Sequence, residues 1–244
     1  MLLENWGFWH SKRTGSCQYT TIIEELCLHF SLSDIRKSTN NFDLNRLINR
    51  DGFGIEVYKG CLQHDGSDYT VAIKRFKEKK IDCDATVHKE TRFRDRHQIR
   101  ELFKNEIELL CQLRHHNIVS LVGFCNHKKE KIIVYDYMPN GSLHQHIESG
   151  KLSWKKRVEI CIAAARGLHY LHAGAKRTII HRDIHPRNIL LDANMEPKLS
   201  DFGLSVLGQR FMSKPKPIKV DHAAGIVLFY DVTYCSEILS DRLR

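Results

Sequence analysis

The chain has 244 residues, a formal net charge of +9 and an apolar share of 42%, which suits one large domain or two smaller lobes. It contains no run of 18 apolar residues, so the sequence predicts no membrane-spanning helix. The eight cysteines are scattered and form no C-x-x-C pair, which favours reduced, buried thiols over a disulfide framework or a zinc site.

The positive charge is concentrated in the second half of the chain, where residues 151–187 hold nine Lys or Arg against two acidic residues. A basic surface of this kind can attract nucleic acid. Because aromatic residues do not alternate with the basic ones and no nucleic-acid-binding motif is present, we predict no nucleic-acid partner.

Residues 1–41 are predicted to form a leader that precedes the folded domain. The acidic residues Glu24 and Glu25, and the lack of a continuous apolar core, argue against a cleaved signal peptide. The stretch from Phe30 to Phe42 has the pattern of a short capped helix followed by a turn.

Strands are predicted next. Two strands around a glycine turn should lie between Leu44 and Leu62, and residues 69–76 alternate like a third strand. The charged segment 77–100 has few apolar residues and is predicted to be a mobile surface loop.

A helix is predicted over residues 98–113, because apolar residues recur there at helical spacing. Glu106 falls in the middle of the apolar stripe, whereas Glu108 falls on the opposite face. A carboxylate on a buried stripe needs a partner, and Lys74 on the preceding strand is the predicted one.

Residues 117–124 and 131–138 are predicted to be two strands joined by a polar turn. Residues 139–142 then break the strand and cap a helix. Residues 153–172 form an amphipathic helix in which Ser153 is the expected N-cap, and this helix should support the loop that follows it.

The stretch from Ile180 to Gly203 presents polar side chains at the ends of short apolar segments. These side chains are Asp183, Asn188 and Asp201. Two carboxylates and an amide brought together suit phosphoryl transfer, in which one group orients a hydroxyl and two hold magnesium.

Two motifs in this stretch resemble those of the protein kinases. His181-Arg182-Asp183 with Asn188 is similar to their catalytic loop, and Asp201-Phe202-Gly203 is similar to their metal-binding triplet. Residues 30–42 also resemble the segment that leads into the kinase domain of plant receptor-like kinases of the serine/threonine type.

The resemblance implies an α+β, two-lobed kinase-like fold. A small antiparallel sheet with one helix would form the first lobe, at residues 42–138, after the leader at 1–41. An incomplete helical lobe would follow at residues 139–244.

The resemblance also implies ATP-dependent phosphorylation of serine or threonine in a protein substrate, with Mg²⁺ as the metal. Asp183 would be the catalytic base, Asn188 and Asp201 would hold Mg²⁺, and Lys74, fixed by Glu106, would contact the phosphates. The residues implied to bind the nucleotide are Ile48, Gly52, Phe53, Gly54, Val57, Ala72, Lys74, Asp136, Met138 and Leu190. Burial of Val57, Ala72 and Leu190 equally fits plain core positions.

Two departures from the kinase pattern bear on activity. Asn49 and Asp51 stand where the first two glycines of the phosphate loop would be, and an aspartate repels polyphosphate. A plain hairpin turn is the alternative interpretation of that loop. His185 stands where a lysine usually touches the γ-phosphate, so we count it among the catalytic residues but expect a weaker charge clamp.

The third departure is the C-terminal part, because only 41 residues follow Gly203 and no A-P-E motif occurs among them. We hypothesise that an internal segment is missing at the junction of Gly225 and Ile226. The alternatives to an active kinase are therefore a pseudokinase-like binding scaffold and a chain too incomplete to fold alone. The chain as given is expected to be cytoplasmic, with any membrane attachment through a segment outside it, since family members are usually at the plasma membrane with a cytosolic kinase domain.

Overall fold

The computed structural model describes residues 27–51, 54–64, 67–77, 96–128 and 130–208. The chain divides into two compact units, one of residues 1–100 and 121–136 and the other of residues 101–120 and 137–244. The domain boundaries predicted after residues 41 and 138 stay predictions.

The first unit is built on a β-sheet. Its strands are β1 (Leu28–His29), β2 (Leu47–Arg50), β3 (Ile55–His64), β4 (Ser67–Phe76), β5 (Leu121–His127) and β6 (Glu130–Asp136). Over the described residues the sheet has six strands in the order β1-β5-β6-β4-β3-β2. Every neighbouring pair is antiparallel except β1 with β5, which is parallel.

The segment between β1 and β2 is folded onto the sheet. Ser31 accepts a hydrogen bond from the N–H of Asp34 and so caps helix α1 (Leu32–Ser38), as its sequence pattern predicts. Ile35 on this helix is fully buried, and the N–H of Phe30 donates to the carbonyl of Phe124 on β5. The buried residues of this cluster are Phe30, Ile35, Tyr58, Val71, Ile73, Cys125, Ile132 and Val134.

The second unit contains helices and short strands. Helix α2 (Arg96–Leu110) begins in the first unit and continues into the second, which also holds α3 (Leu143–Glu148), α4 (Trp154–His169), β7 (Ile179–Ile180), β8 (Ile189–Leu191), β9 (Pro197–Leu199) and β10 (Val206–Leu207). Strands β8 and β9 form one antiparallel pair, and β7 and β10 form another.

Helix α4 packs against strand β9 and the segment that contains Asn117. Ser153 caps it by accepting the N–H of Lys156. A Cβ at Gly167 would lie 2.8 Å from the carbonyl oxygen of Asn117 and 3.2 Å from Leu199, so only glycine allows this close packing. The α-helix ends at His169, three residues before the predicted end, and a π-turn continues to Gly174.

These elements give an α+β architecture, so the predicted fold class is confirmed. In the part of the chain that the structure describes, no helix combines the length and apolar character needed to cross a membrane.

Candidate active site

The loop between β7 and β8 is organised by the buried imidazole of His181. Its Nδ1 accepts the N–H of Asp183 at 3.3 Å, and its Nε2 donates to the carbonyl of Ser200 at 3.0 Å. Burial lowers the pKa of His181 to about 4, although the carboxylates of Asp201 and Asp183 act in the opposite direction. The ring is therefore neutral at pH 7 and fixes the backbone of Asp183.

Asn188 lies against Asp183. A 3₁₀ turn over Pro186–Asn188 returns the chain, and the Nδ2 of Asn188 donates to Oδ2 of Asp183 at 2.9 Å and to its backbone carbonyl at 3.0 Å. Because the amide nitrogen is used in this way, the carboxamide oxygen remains for a metal ion. The structure thus brings the predicted base and one predicted metal ligand together.

His185 is held beside the same carboxylate. Its Nδ1 accepts the N–H of Arg187 at 3.2 Å, which caps the 3₁₀ turn, and its Nε2 lies 3.6 Å from Oδ1 of Asp183. A separation of 3.6 Å is too long for a hydrogen bond. The imidazole is a short, fixed neighbour of the predicted base, and it lacks the reach of the lysine that the kinase pattern has there.

Ser200, the residue immediately before Asp201, contacts Asn188. The N–H and the hydroxyl of Ser200 both donate to the carbonyl of Asn188, at 2.9 and 3.0 Å. Asp201 itself has φ 66°, a left-handed conformation that is uncommon for residues other than glycine. The carboxylate of Asp201 and the carboxamide oxygen of Asn188 are hard oxygen donors, and this pair fits Mg²⁺, which also takes water and substrate phosphate as ligands.

Phe202 and Gly203 pack tightly in the second unit. The Phe202 ring is fully buried, and its centroid lies 4.7 Å from that of His181. The N–H of Phe202 donates to Oε1 of Glu106 at 3.2 Å. A Cβ on Gly203 would lie 3.2 Å from Leu102 on the same helix, so a side chain there would force a shift.

Glu106 is fully buried, as its position in the apolar stripe of α2 predicts. Lys74 on β4 is 7% exposed, is paired in register with Val57 on β3, and has its Nζ 5.2 Å from the ring centroid of Phe76. Lys74 and Glu106 belong to different units. The predicted ion pair between them stays a prediction.

Asp51, which stands at a glycine position of the phosphate loop, closes the β2–β3 hairpin. Its Oδ1 accepts the N–H of Ile55 at 2.7 Å, and its own N–H donates to the carbonyl of Ile55 at 3.0 Å. Gly54 has φ +92°, and a Cβ there would lie 2.9 Å from the carbonyl oxygen of Lys77. Gly52 and Phe53, the other predicted phosphate-loop residues, lie outside the described residues.

The other predicted nucleotide-binding residues lie on both units. Three of them lie on the sheet of the first unit. Ile48 is exposed on β2, Val57 is half-buried on β3 and Ala72 is half-buried on β4. Asp136 is the exposed last residue of β6. In the second unit, Met138 is buried and Leu190 lies half-buried on β8. Their roles in binding stay predictions.

Two residues of the site were not predicted from the sequence. One is Ser200, described above. The other is Asn105, whose Nδ2 lies 3.2, 2.9 and 2.8 Å from the carbonyl oxygens of Phe202, Gly203 and Ser205. The available signal was its place immediately before Glu106, at the edge of the apolar stripe.

Comparison with known proteins gives the family. Residues 42–219 match the protein tyrosine and serine/threonine kinase family. The receptor-like protein kinase FERONIA of Arabidopsis thaliana is 46% identical over 198 residues, covering 80% of this chain and 20% of that protein. Receptor-like protein kinase ANXUR2 is 44% identical over 200 residues, covering 81% of this chain and 21% of that protein, and receptor-like protein kinase THESEUS 1 is 44% identical over 202 residues, covering 82% and 21%, both from the same plant.

The chain thus spans about a fifth of the length of the curated relatives it matches. The match covers the catalytic-loop and triplet residues whose geometry is described above. The chain belongs to the protein tyrosine and serine/threonine kinase family, and within it to the plant receptor-like kinases.

Proposed function

We propose that this chain transfers the γ-phosphoryl group of ATP to a serine or threonine hydroxyl of a protein substrate. The observation that carries this proposal is the hydrogen-bonded link from Asp183 through Asn188 to Ser200, with Asp201 next in sequence. The proposed base and the two proposed oxygen ligands lie on two adjoining loops, and phosphoryl transfer needs groups of these kinds.

Asp183 is the proposed base. Its Oδ2 already accepts from Asn188, so Oδ1 is the oxygen that accepts the proton of the substrate hydroxyl. The hydroxyl oxygen forms the new bond to the γ-phosphorus, and the bond from that phosphorus to the oxygen bridging to ADP breaks. The neutral ring of His181 keeps the Asp183 backbone in place throughout.

Asn188 and Asp201 are the proposed ligands for Mg²⁺, which when bound neutralises charge on the phosphates. Lys74 is the proposed contact for the α- and β-phosphates, with Glu106 as its partner. The burial of Lys74, which is only 7% exposed on its strand, supports this assignment, because lysines without a specific role usually lie in solvent.

The test is phosphate incorporation into a general protein substrate by the purified chain with Mg²⁺ and labelled ATP. Phosphoamino-acid analysis of the product then distinguishes serine and threonine from tyrosine. Lys74→Met and Asp183→Asn should each lower incorporation by at least about 100-fold, because both groups act on the reacting phosphate or hydroxyl.

The matched controls change the same residue types at exposed positions. Lys151→Met alters the loop before α4, and Asp68→Asn alters the outer part of β4. Both should leave incorporation within about twofold of the unchanged chain. Equal incorporation by Lys74→Met and the unchanged chain would reject the assignment and point to a contaminating kinase.

A second candidate function is a nucleotide-binding scaffold with no phosphotransfer. It is favoured by Asp51, whose carboxylate closes the hairpin at a position where kinases carry glycine. Mg-ATP at 100 times its Kd should stabilise either form by about 2.7 kcal/mol. A rise in melting temperature without incorporation supports the scaffold, and a rise with incorporation supports the enzyme.

We further propose that the chain works on the cytosolic side of the plasma membrane. The support is its similarity to proteins named receptor-like kinases. Expression of the complete transcript product as a fluorescent fusion tests this, and a uniform signal away from the cell surface would contradict it.

A further inference from the structure

The part of helix α2 that belongs to the second unit, from residue 101 onward, presents one face to the Asp201-Phe202-Gly203 turn of the same unit. Leu102 lies against Gly203, Glu106 accepts the N–H of Phe202, and Asn105 reaches the carbonyl oxygens beyond it. These three helix residues are at positions i, i+3 and i+4, which lie next to one another on a helix surface. The turn is therefore held by consecutive contacts to one helix.

The contact made by Asn105 differs in kind from the other two. Three backbone carbonyls converge on its Nδ2, at 3.2 Å for Phe202, 2.9 Å for Gly203 and 2.8 Å for Ser205. Carbonyl oxygens that converge without a donor repel each other, and leaving buried acceptors unsatisfied is costly. A side-chain amide supplies two N–H donors at this point, whereas a carboxylate would add a further acceptor.

The turn has a reason to need such a contact. Asp201 has φ 66°, and strained conformations of this kind persist only where surrounding structure holds them. The hydroxyl of Ser205 also donates to the carbonyl of His181 at 3.0 Å, so the segment held by Asn105 is in turn fastened to the catalytic loop. Loss of the amide should let the segment relax and move the Asp201 carboxylate.

We propose that Asn105 is a positioning residue for Asp201 and sets the affinity of the site for the divalent metal. This rests on the proposed function, because it takes Asp201 as the metal ligand. The proposal differs from a general stabilising role for Asn105, because nucleotide binding without metal should not depend on this residue.

The experiment compares Asn105→Ala, Asn105→Asp and Asn105→Gln with the unchanged chain. Gln112→Ala is the control, because Gln112 also donates its side-chain amide to a backbone carbonyl, that of Glu108 at 2.6 Å, but on an exposed surface away from the turn. Binding of a fluorescent nucleotide is measured in EDTA, and Mn²⁺ binding to the nucleotide-loaded protein is measured by electron paramagnetic resonance. Hydrogen exchange of the peptide covering residues 202–205 is measured without metal or nucleotide.

Asn105→Ala should weaken Mn²⁺ binding by about tenfold, the effect of one or two lost hydrogen bonds, and should speed exchange in the 202–205 peptide. Asn105→Asp should weaken Mn²⁺ binding more than Asn105→Ala does. Asn105→Gln should retain part of the Mn²⁺ affinity, and Gln112→Ala should bind Mn²⁺ as tightly as the unchanged chain. Nucleotide binding in EDTA should stay within about twofold in every variant. Unchanged Mn²⁺ affinity in Asn105→Ala, or an equal loss of metal and metal-free nucleotide binding, would overturn the proposal.

The two proposals fail separately. If the unchanged chain binds Mn²⁺ in a manner that depends on Asn105 but transfers no phosphate, the positioning role stands and the enzyme assignment falls. If it transfers phosphate and Asn105→Ala shows the same metal dependence, the enzyme assignment stands and the positioning role falls.

Discussion

His185 is the residue whose replacement gives the sharpest test of catalytic strength. Its imidazole is fixed between the N–H of Arg187 and the carboxylate of Asp183. A lysine at this position has a longer stem and a permanent charge, so it can reach a transferring phosphate. His185→Lys should raise kcat/KM for ATP by about tenfold, since a charge-assisted hydrogen bond contributes roughly 1.5–3 kcal/mol. Steady-state kinetics over a range of ATP concentrations measure this.

The matched control for that variant is His172→Lys, which makes the same change on the exposed π-turn after α4. It should leave kcat/KM within about twofold. If His185→Lys gives no gain in kcat/KM, the imidazole already supplies what this chain needs there. The expectation that His185 interacts with the phosphate more weakly than a lysine is then wrong.

At the scale of elements, helix α1, between β1 and β2, is part of the core of the first unit. Ile35 on α1 is fully buried among Tyr58, Val71 and other residues of β3 to β6. Ile35→Ala should therefore lower the free energy of unfolding by about 2–4 kcal/mol, because it removes buried methyl groups and leaves a cavity. Urea unfolding followed by circular dichroism measures the change.

Leu44→Ala is the control for this prediction, because Leu44 is 68% exposed and follows the same helix. Its effect on the free energy of unfolding should be within about 0.5 kcal/mol. Equal effects of the two variants would mean that α1 does not contribute to the folded core.

The strongly patterned elements could be predicted from the sequence, and the shortest ones could not. Alternation gave the strand that is observed as β4, and apolar spacing gave the helices α2 and α4. Strand β1 has two residues and pairs in parallel with the distant β5, so it carries no local alternation to detect. It exists because β5 offers an open edge and Leu28 packs against the shared core.

Motif spacing picked out Asp183 and Asn188, which the structure joins by a hydrogen bond, and Asp201, which directly follows a residue bonded to Asn188; the roles of the three residues stay predictions. It did not predict Asn105, because a polar residue beside an apolar stripe usually faces solvent and its partners are backbone carbonyls about 100 residues away. Backbone acceptors have no sequence signature, so contacts of this kind become visible only with coordinates.

At the scale of the whole molecule, the buried neutral His181 makes stability depend on pH. Its pKa is about 4 in the folded chain because burial disfavours the charged ring, against an ordinary value of 6.5. Between these values the unfolded chain binds more protons than the folded one, so the free energy of unfolding falls as the pH is lowered from 7. The loss from this group should be complete below about pH 4 and amount to about 3 kcal/mol.

Urea unfolding at pH 7, 6 and 5 measures this dependence in a range where most carboxylates stay ionised. His181→Phe should be less stable at pH 7, because the bonds to Asp183 and Ser200 are lost. The free energy of unfolding of this variant should nevertheless change less with pH than that of the unchanged chain. The two slopes should differ by up to about 1.4 kcal/mol per pH unit. The difference in slope isolates His181 from other histidines, such as His115, whose pKa burial also lowers. Parallel slopes for the two proteins would show that His181 is not the group that takes up the proton on unfolding.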